Sequence, residues 1–163
     1  MSFQSEDYTS LEPVAAEERE SVSRNVLFWL NKFPQIPEEV LLGNPLAPIN
    51  FEVLKDNTPS MVLSTVPGAY IISKDILGSY TAQYLFKVAY RIIPGITAGP
   101  DKRLKAEEIL NRLSFWCEKT KPDLGPGIRN IRVKIDIPAS LHSVNENGDE
   151  DFQIFMTLTY EVI

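Results

Sequence analysis

The chain carries one cysteine, Cys117, and one histidine, His142, in 163 residues. A lone cysteine closes no intrachain disulfide, and a cysteine-based zinc site would need ligands the chain lacks. Cys117 falls inside an apolar helical pattern, where a buried small hydrophobe is the simplest reading. His142, between Ser140 and Ser143, matches no nucleophile elbow and reads as a surface or half-buried histidine. No stretch approaches the ~18–20 apolar residues of a membrane span, and Met1-Ser-Phe-Gln-Ser-Glu-Asp7 lacks the basic and apolar regions of a signal peptide. The expectation is a protein made in the cytoplasm, with no membrane partner.

Positive charge is also short. Sixteen Lys and Arg against 22 Asp and Glu leave a formal charge of −6, a poor balance for gripping phosphate backbones. The glycines from Gly95 to Gly99 have neither G-x-G-x-x-G spacing nor a Gly-Lys-Ser/Thr ending, so phosphate cradling is not expected. Asn145-Glu-Asn-Gly-Asp-Glu-Asp151 is acidic but lacks the order of a calcium loop. It reads as a solvated hairpin tip around Asn147-Gly148. The short basic run Asp101-Lys-Arg-Leu-Lys105 lies next to Glu107 and Glu108 and reads as a solvated helix start. Neither a catalytic constellation nor a cofactor or metal site is expected.

What is present is alternation. Tyr80, Ala82, Tyr84, Phe86, Val88, Tyr90 and Ile92 occupy every second position of one run. Phe152, Ile154, Met156, Leu158, Tyr160 and Val162 do so in another. Successive strand side chains point to opposite faces, so each run predicts a long strand with one apolar face. The tyrosines of the first run read as core, their hydroxyls reaching the rim. Shorter strands are predicted at Ile49 to Val53, Ser60 to Val66, Ala69 to Ile72 and Ile131 to Ile137, with a further short strand after Pro138. Val22, Val26, Leu30 and Phe33 place an apolar stripe on a helix from Pro13. Ala106, Ile109, Leu110, Leu113, Trp116 and Cys117 do the same from Asp101 to Thr120. Pro34, Pro37, Pro45 and Pro48 punctuate an irregular connection between them and the sheet.

The predicted class is α+β, a mainly antiparallel sheet with two principal helices packed on one face. Residues 1–163 are expected to form a single domain, with 1–12 a flexible N-terminal arm.

Four segments together resemble a known family. They are Pro48-Ile-Asn-Phe-Glu-Val-Leu-Lys-Asp-Asn-Thr-Pro-Ser-Met61, Gly78-Ser-Tyr-Thr-Ala-Gln-Tyr84 with Tyr90-Arg91, Asp101-Lys-Arg-Leu-Lys-Ala-Glu-Glu108, and Glu146 through Val162. Over about residues 48–163 the chain is similar to the tail terminators, or tail-to-head joining proteins, of siphophages and prophages of Gram-positive bacteria, often labelled minor capsid proteins. The resemblance implies a structural virion protein with no catalytic or cofactor residues. It implies a homo-hexameric ring at the neck that caps the major tail (tube) protein, stops its polymerisation and docks to the head–tail connector. DNA would pass through the lumen without specific binding. Assembly would take place in the bacterial host's cytoplasm. The competing readings are another neck or tail component, such as a tube subunit or head–tail adaptor, and, from a different class, a small ligand-binding module or enzyme.

A head-to-tail ring needs two unlike patches per subunit, and loops and sheet edges are the natural suppliers. The expected assembly residues are Lys55, Asp56 and Asn57 in one loop and Lys74 and Asp75 in a second. Asn145, Glu146, Asn147, Asp149 and Glu150 in the acidic hairpin complete the set.

Overall fold

The computed structural model describes residues 13–93 and 99–163; the expected arm at 1–12 and the Pro94-Gly95 strand stop lie outside the described residues. The elements run α1 (Pro13–Leu30), α2 (Glu38–Gly43), β1 (Ile49–Phe51), β2 (Ser60–Thr65), β3 (Ile71–Lys74), β4 (Tyr80–Ile92), α3 (Gly99–Lys119), β5 (Ile128–Val144) and β6 (Glu150–Val162). The class is α+β. Six strands form one sheet in the order β1-β2-β4-β6-β5, with β3 also pairing β4.

The two alternating runs are neighbours. β4 and β6 pair antiparallel without interruption, from Tyr80 opposite Val162 to Ile92 opposite Glu150. Thirteen residues at about 3.3–3.4 Å each make a ladder roughly 40 Å long. Because both strands put their apolar residues on the same side, Tyr84, Phe86, Val88, Phe152, Ile154, Met156 and Leu158 form one buried surface. α1 and α3 cover that surface with Val22, Val26, Leu30, Ala106, Leu110 and Leu113. The two helices also meet each other. Trp29 and Trp116 stack with ring centroids 5.5 Å apart, and Trp29 Nε1 donates to Thr120 Oγ1 at 2.9 Å. Cys117 is buried in this layer, and its burial pushes the thiol pKa up, so it is held as an inert thiol.

Three local expectations need correction. The proline-rich connection contains a short helix, α2, starting directly after Pro37, a residue whose fixed φ suits a helix start. β1 pairs with β2 in parallel. The link between them is short because β1 has only three residues, so the chain retraces little distance before re-entering the sheet. β5 is one strand of 17 residues that runs straight through Pro138. It lies at the sheet edge, where a missing N–H is tolerated, and its register shifts between Ile137 and Ser140.

No described helix covers the other sheet face. Cross-strand rows place Gln83, Thr159 and Arg132 side by side there, then Leu85, Thr157 and Lys134, then Lys87, Phe155 and Ile137.

Candidate assembly surfaces

The ladder has two ends, and the predicted assembly residues divide between them. At the end marked by Ile92 and Glu150, the 55–57 loop and the 145–151 hairpin come together. Arg91 joins them. Its Nε and Nη2 donate to Asp151 Oδ1 and Oδ2 at 2.7 and 2.8 Å, and its Nη1 donates to the Lys55 carbonyl at 3.1 Å. Asp56 lies 3.5 Å from the same guanidinium. A bidentate carboxylate is the geometry that best holds a guanidinium, and hydrogen bonding to Asp151 raises the Arg91 pKa further. Asn57 N–H donates to Asp149 Oδ2 at 2.9 Å, a second link between the two loops.

The hairpin tip is organised by Asn145. Its Oδ1 accepts from the N–H groups of Asn147 and Asp149, both at 2.9 Å, while its Nδ2 donates to Asp149 Oδ2 at 3.0 Å. Gly148 supplies the left-handed turn at φ +84°. Glu150 accepts two bonds from Arg103 at 2.7 and 2.6 Å, which fastens the hairpin to α3.

The expected residues therefore separate by role. Glu146, Asn147, Lys55, Asp56 and Asn57 are exposed, and Asn145 is partly so. Asp149 and Glu150 are not part of a solvated tip. They are 1% and 4% exposed and engaged inside the chain. Glu150 is buried by the register, opposite Ile92 and Val144 inside the ladder, and Asp149 by its bonds from Asn57 and Asn145.

The 74–79 hairpin, with Lys74 and Asp75, lies at the opposite end, where β3 pairs with the start of β4. Asp75 orders it. Its Oδ1 accepts from Leu77 N–H and Ser79 N–H at 2.9 and 3.0 Å, and its own N–H donates to the Ser79 carbonyl at 2.8 Å. Gly78 takes φ +95° to close the turn. The consequence is a fixed tip that holds Ile76 fully exposed and Leu77 88% exposed. Sequence reasoning singled out Lys74 and Asp75 and passed over these two apolar residues. The available signal was an Ile-Leu pair between an Asx-turn residue and a glycine.

Behind this end lies a tyrosine network. Glu18 of α1 accepts from the Tyr70 and Tyr80 hydroxyls, the latter at 2.5 Å, and Tyr160 donates to the Tyr70 hydroxyl at 2.9 Å. Burial raises the Glu18 pKa above the ordinary 4.5, an effect partly offset by the Tyr80 hydrogen bond. The Tyr80 hydroxyl is also pushed up, first by burial and then by Glu18. Tyr90 donates to Glu39 of α2, and Ser23 of α1 donates to the Tyr84 hydroxyl at 2.9 Å. The aromatic stripe is thus core, with its hydroxyls at the rim bonded to the helices.

Among the described residues no three His, Cys, Asp or Glu side chains converge on a cation-holding geometry. No described helix is long and apolar enough to cross a membrane. No protein-family profile matches the chain, and no curated protein matches it. Among the solved structures that align with the chain, one covers 89% of it and 92% of its own length at 15% identity and a TM-score of 0.39, too weak a likeness to carry an argument.

Proposed function

We infer that the chain is a structural protein of a siphophage-type virion, a tail terminator whose copies close into a hexameric ring between tail tube and neck. The observation that carries this reading is the two-ended ladder. A stiff slab roughly 40 Å long presents unlike loop clusters at its ends. One end is a polar clamp built on Arg91, Asp149 and Asp151. The other is a rigid apolar tip at Ile76 and Leu77.

A terminator needs that asymmetry. One ring face has to match the last ring of tube subunits, and the other has to refuse a further ring and accept the connector instead. Two faces complementary to each other would stack indefinitely, as tube rings do. The −6 charge per copy gives a hexamer about −36, which favours passage of DNA without adhesion. The sequence resemblance over residues 48–163 points the same way.

The test is negative-stain imaging of the purified protein mixed with major tail protein from the same phage or prophage. The expected outcome is six-fold rings bound at one end of tubes whose growth has stopped. Filaments formed by the protein alone would assign it instead to the tube.

A further inference from the structure

Of the fifteen large apolar side chains exposed among the described residues, ten lie along the two opposite edges of the sheet. At the β1 edge, Leu41, Leu42, Leu46, Phe51 and Val53 are exposed within thirteen consecutive residues, Leu46 to 96%. At the β5 edge, Leu141 and Val144 are exposed on the helix-covered side, with Leu104 and Phe115 of α3 beside the strand, and Ile137 is exposed on the opposite side. The α3 residues face this edge because Asn111, on the same helical row, accepts the Ala139 N–H through Oδ1 at 3.2 Å.

Among the described residues the unpaired charge on the two edges is opposite. Arg129, Lys134 and Asp56 are already engaged by Glu161, Asp136 and Arg91, which leaves Arg132 on β5 and Glu38 and Glu52 beside Lys55 around β1. Around β1 the exposed ionic residues are Glu38, Glu52 and Asp56 against Lys55 alone. On β5 they are Arg129, Arg132 and Lys134 against Asp136. Arg132 and Glu38 have no salt-bridge partner among the described residues.

We propose that the α2–β1 edge of one copy docks against the α3–β5 edge of the next, a heterologous contact through apolar side chains framed by complementary charge. The proposal rests on the ring reading only for closure at six; the head-to-tail contact stands on the two edges themselves. β1 and α2 span three and six residues, so they cover only part of β5, whose exposed apolar stretch from Ile137 to Val144 runs roughly 26 Å at ~3.3 Å per residue.

Side chains, not backbone, make the junction. β5 presents a poor backbone edge, since Pro138 lacks an N–H and the register shifts at four places along the strand. At β1 the Asn31 side chain already occupies Ile49, accepting its N–H at 2.8 Å and donating to its carbonyl at 3.2 Å. A strand-to-strand ladder between copies is therefore blocked on both sides, which leaves a contact specific to these residues.

The experiment uses Leu46→Asp, which disables one edge, and Leu141→Asp, which disables the other, in the full chain, followed by sedimentation over rising concentration. Thermal unfolding of each variant serves as the check on folding. Each variant alone should associate at least tenfold more weakly than the parent, equivalent to ~1.4 kcal/mol. Mixed together they retain one intact junction between them and should form a heterodimer and nothing larger. The charge pair gives a second arm that leaves the apolar surface alone: Arg132→Glu should weaken association, and mixing it with Glu38→Lys should restore the parent's association, because both junctions between unlike copies are then complementary. A parent protein that stays monomeric, or association indifferent to both leucine substitutions, overturns the proposal. So does a mixture that yields no heterodimer. If a chain carrying both Leu46→Asp and Leu141→Asp still caps tubes in rings, the edge assignment fails and the terminator reading stands. If the edges pair as described but the protein never binds tubes, the reverse holds.

Discussion

Arg91 lies near the end of β4 with 10% of its side chain exposed, and its guanidinium reaches Asp151, the Lys55 carbonyl and Asp56. Removing one member of such a pair leaves an uncompensated buried charge. Asp151→Ala is expected to destabilise the fold by ~3–5 kcal/mol in urea denaturation, as for other broken buried pairs. Asp56→Ala, at an 89% exposed side chain, should cost less than ~1 kcal/mol. Glu18 behaves differently because burial raises its pKa. Between the ordinary 4.5 and that raised value, the folded chain keeps a proton that the unfolded chain has lost. Stability therefore falls as pH rises through this window. Glu18→Gln should flatten that slope, as read from thermal midpoints measured across the mildly acidic range. A slope unchanged by the substitution would show that another group titrates there.

At the scale of elements, β5 is the strand whose sequence and structure disagree most. Ile131, Val133 and Ile135 announce a strand, but Pro138 reads as its end because proline donates no ladder hydrogen bond. The strand continues because its outer side has no neighbour to lose and because the register slips around the proline. That interruption also protects the edge. Pro138→Val restores a donor and straightens a strand of 17 residues, and it should convert soluble protein into β-rich aggregate. Light scattering and thioflavin fluorescence during concentration would register the change, and a variant as soluble as the parent would contradict it. β4 and β6 were legible for the converse reason. Each alternates over its full length, and a period of two leaves one way to bury a face.

Across the whole molecule, the ladder separates two loop clusters by roughly 40 Å, and substitutions at its tips should leave the core untouched. Replacing Ile76 and Leu77 with Ser removes apolar surface from a turn whose hydrogen bonds come from Asp75 and Ser79. Stability should change by no more than ~0.5 kcal/mol, the scale of surface substitutions. Joined particles, counted by electron microscopy of lysates, should become rare. Normal joining would remove this tip from the assembly surface. The two ends also differ in what exposes them. The polar clamp buries Asp149 and Glu150 within the chain, whereas the opposite tip holds two apolar residues in solvent.

The sequence alone determined the α+β class, the two long strands and the two packing helices, because side-chain periodicity states which face of each element is buried. It also located three loops. Only the tertiary structure decided that Lys55–Asn57 and Asn145–Asp151 share one end while Lys74 and Asp75 occupy the other, since strand order and register set that and local pattern does not encode them. The same holds for Asp149 and Glu150. Acidic composition marks a solvated turn, but the place of Glu150 inside the ladder, and the donors that Asn57, Asn145 and Arg103 bring to the two carboxylates, bury them.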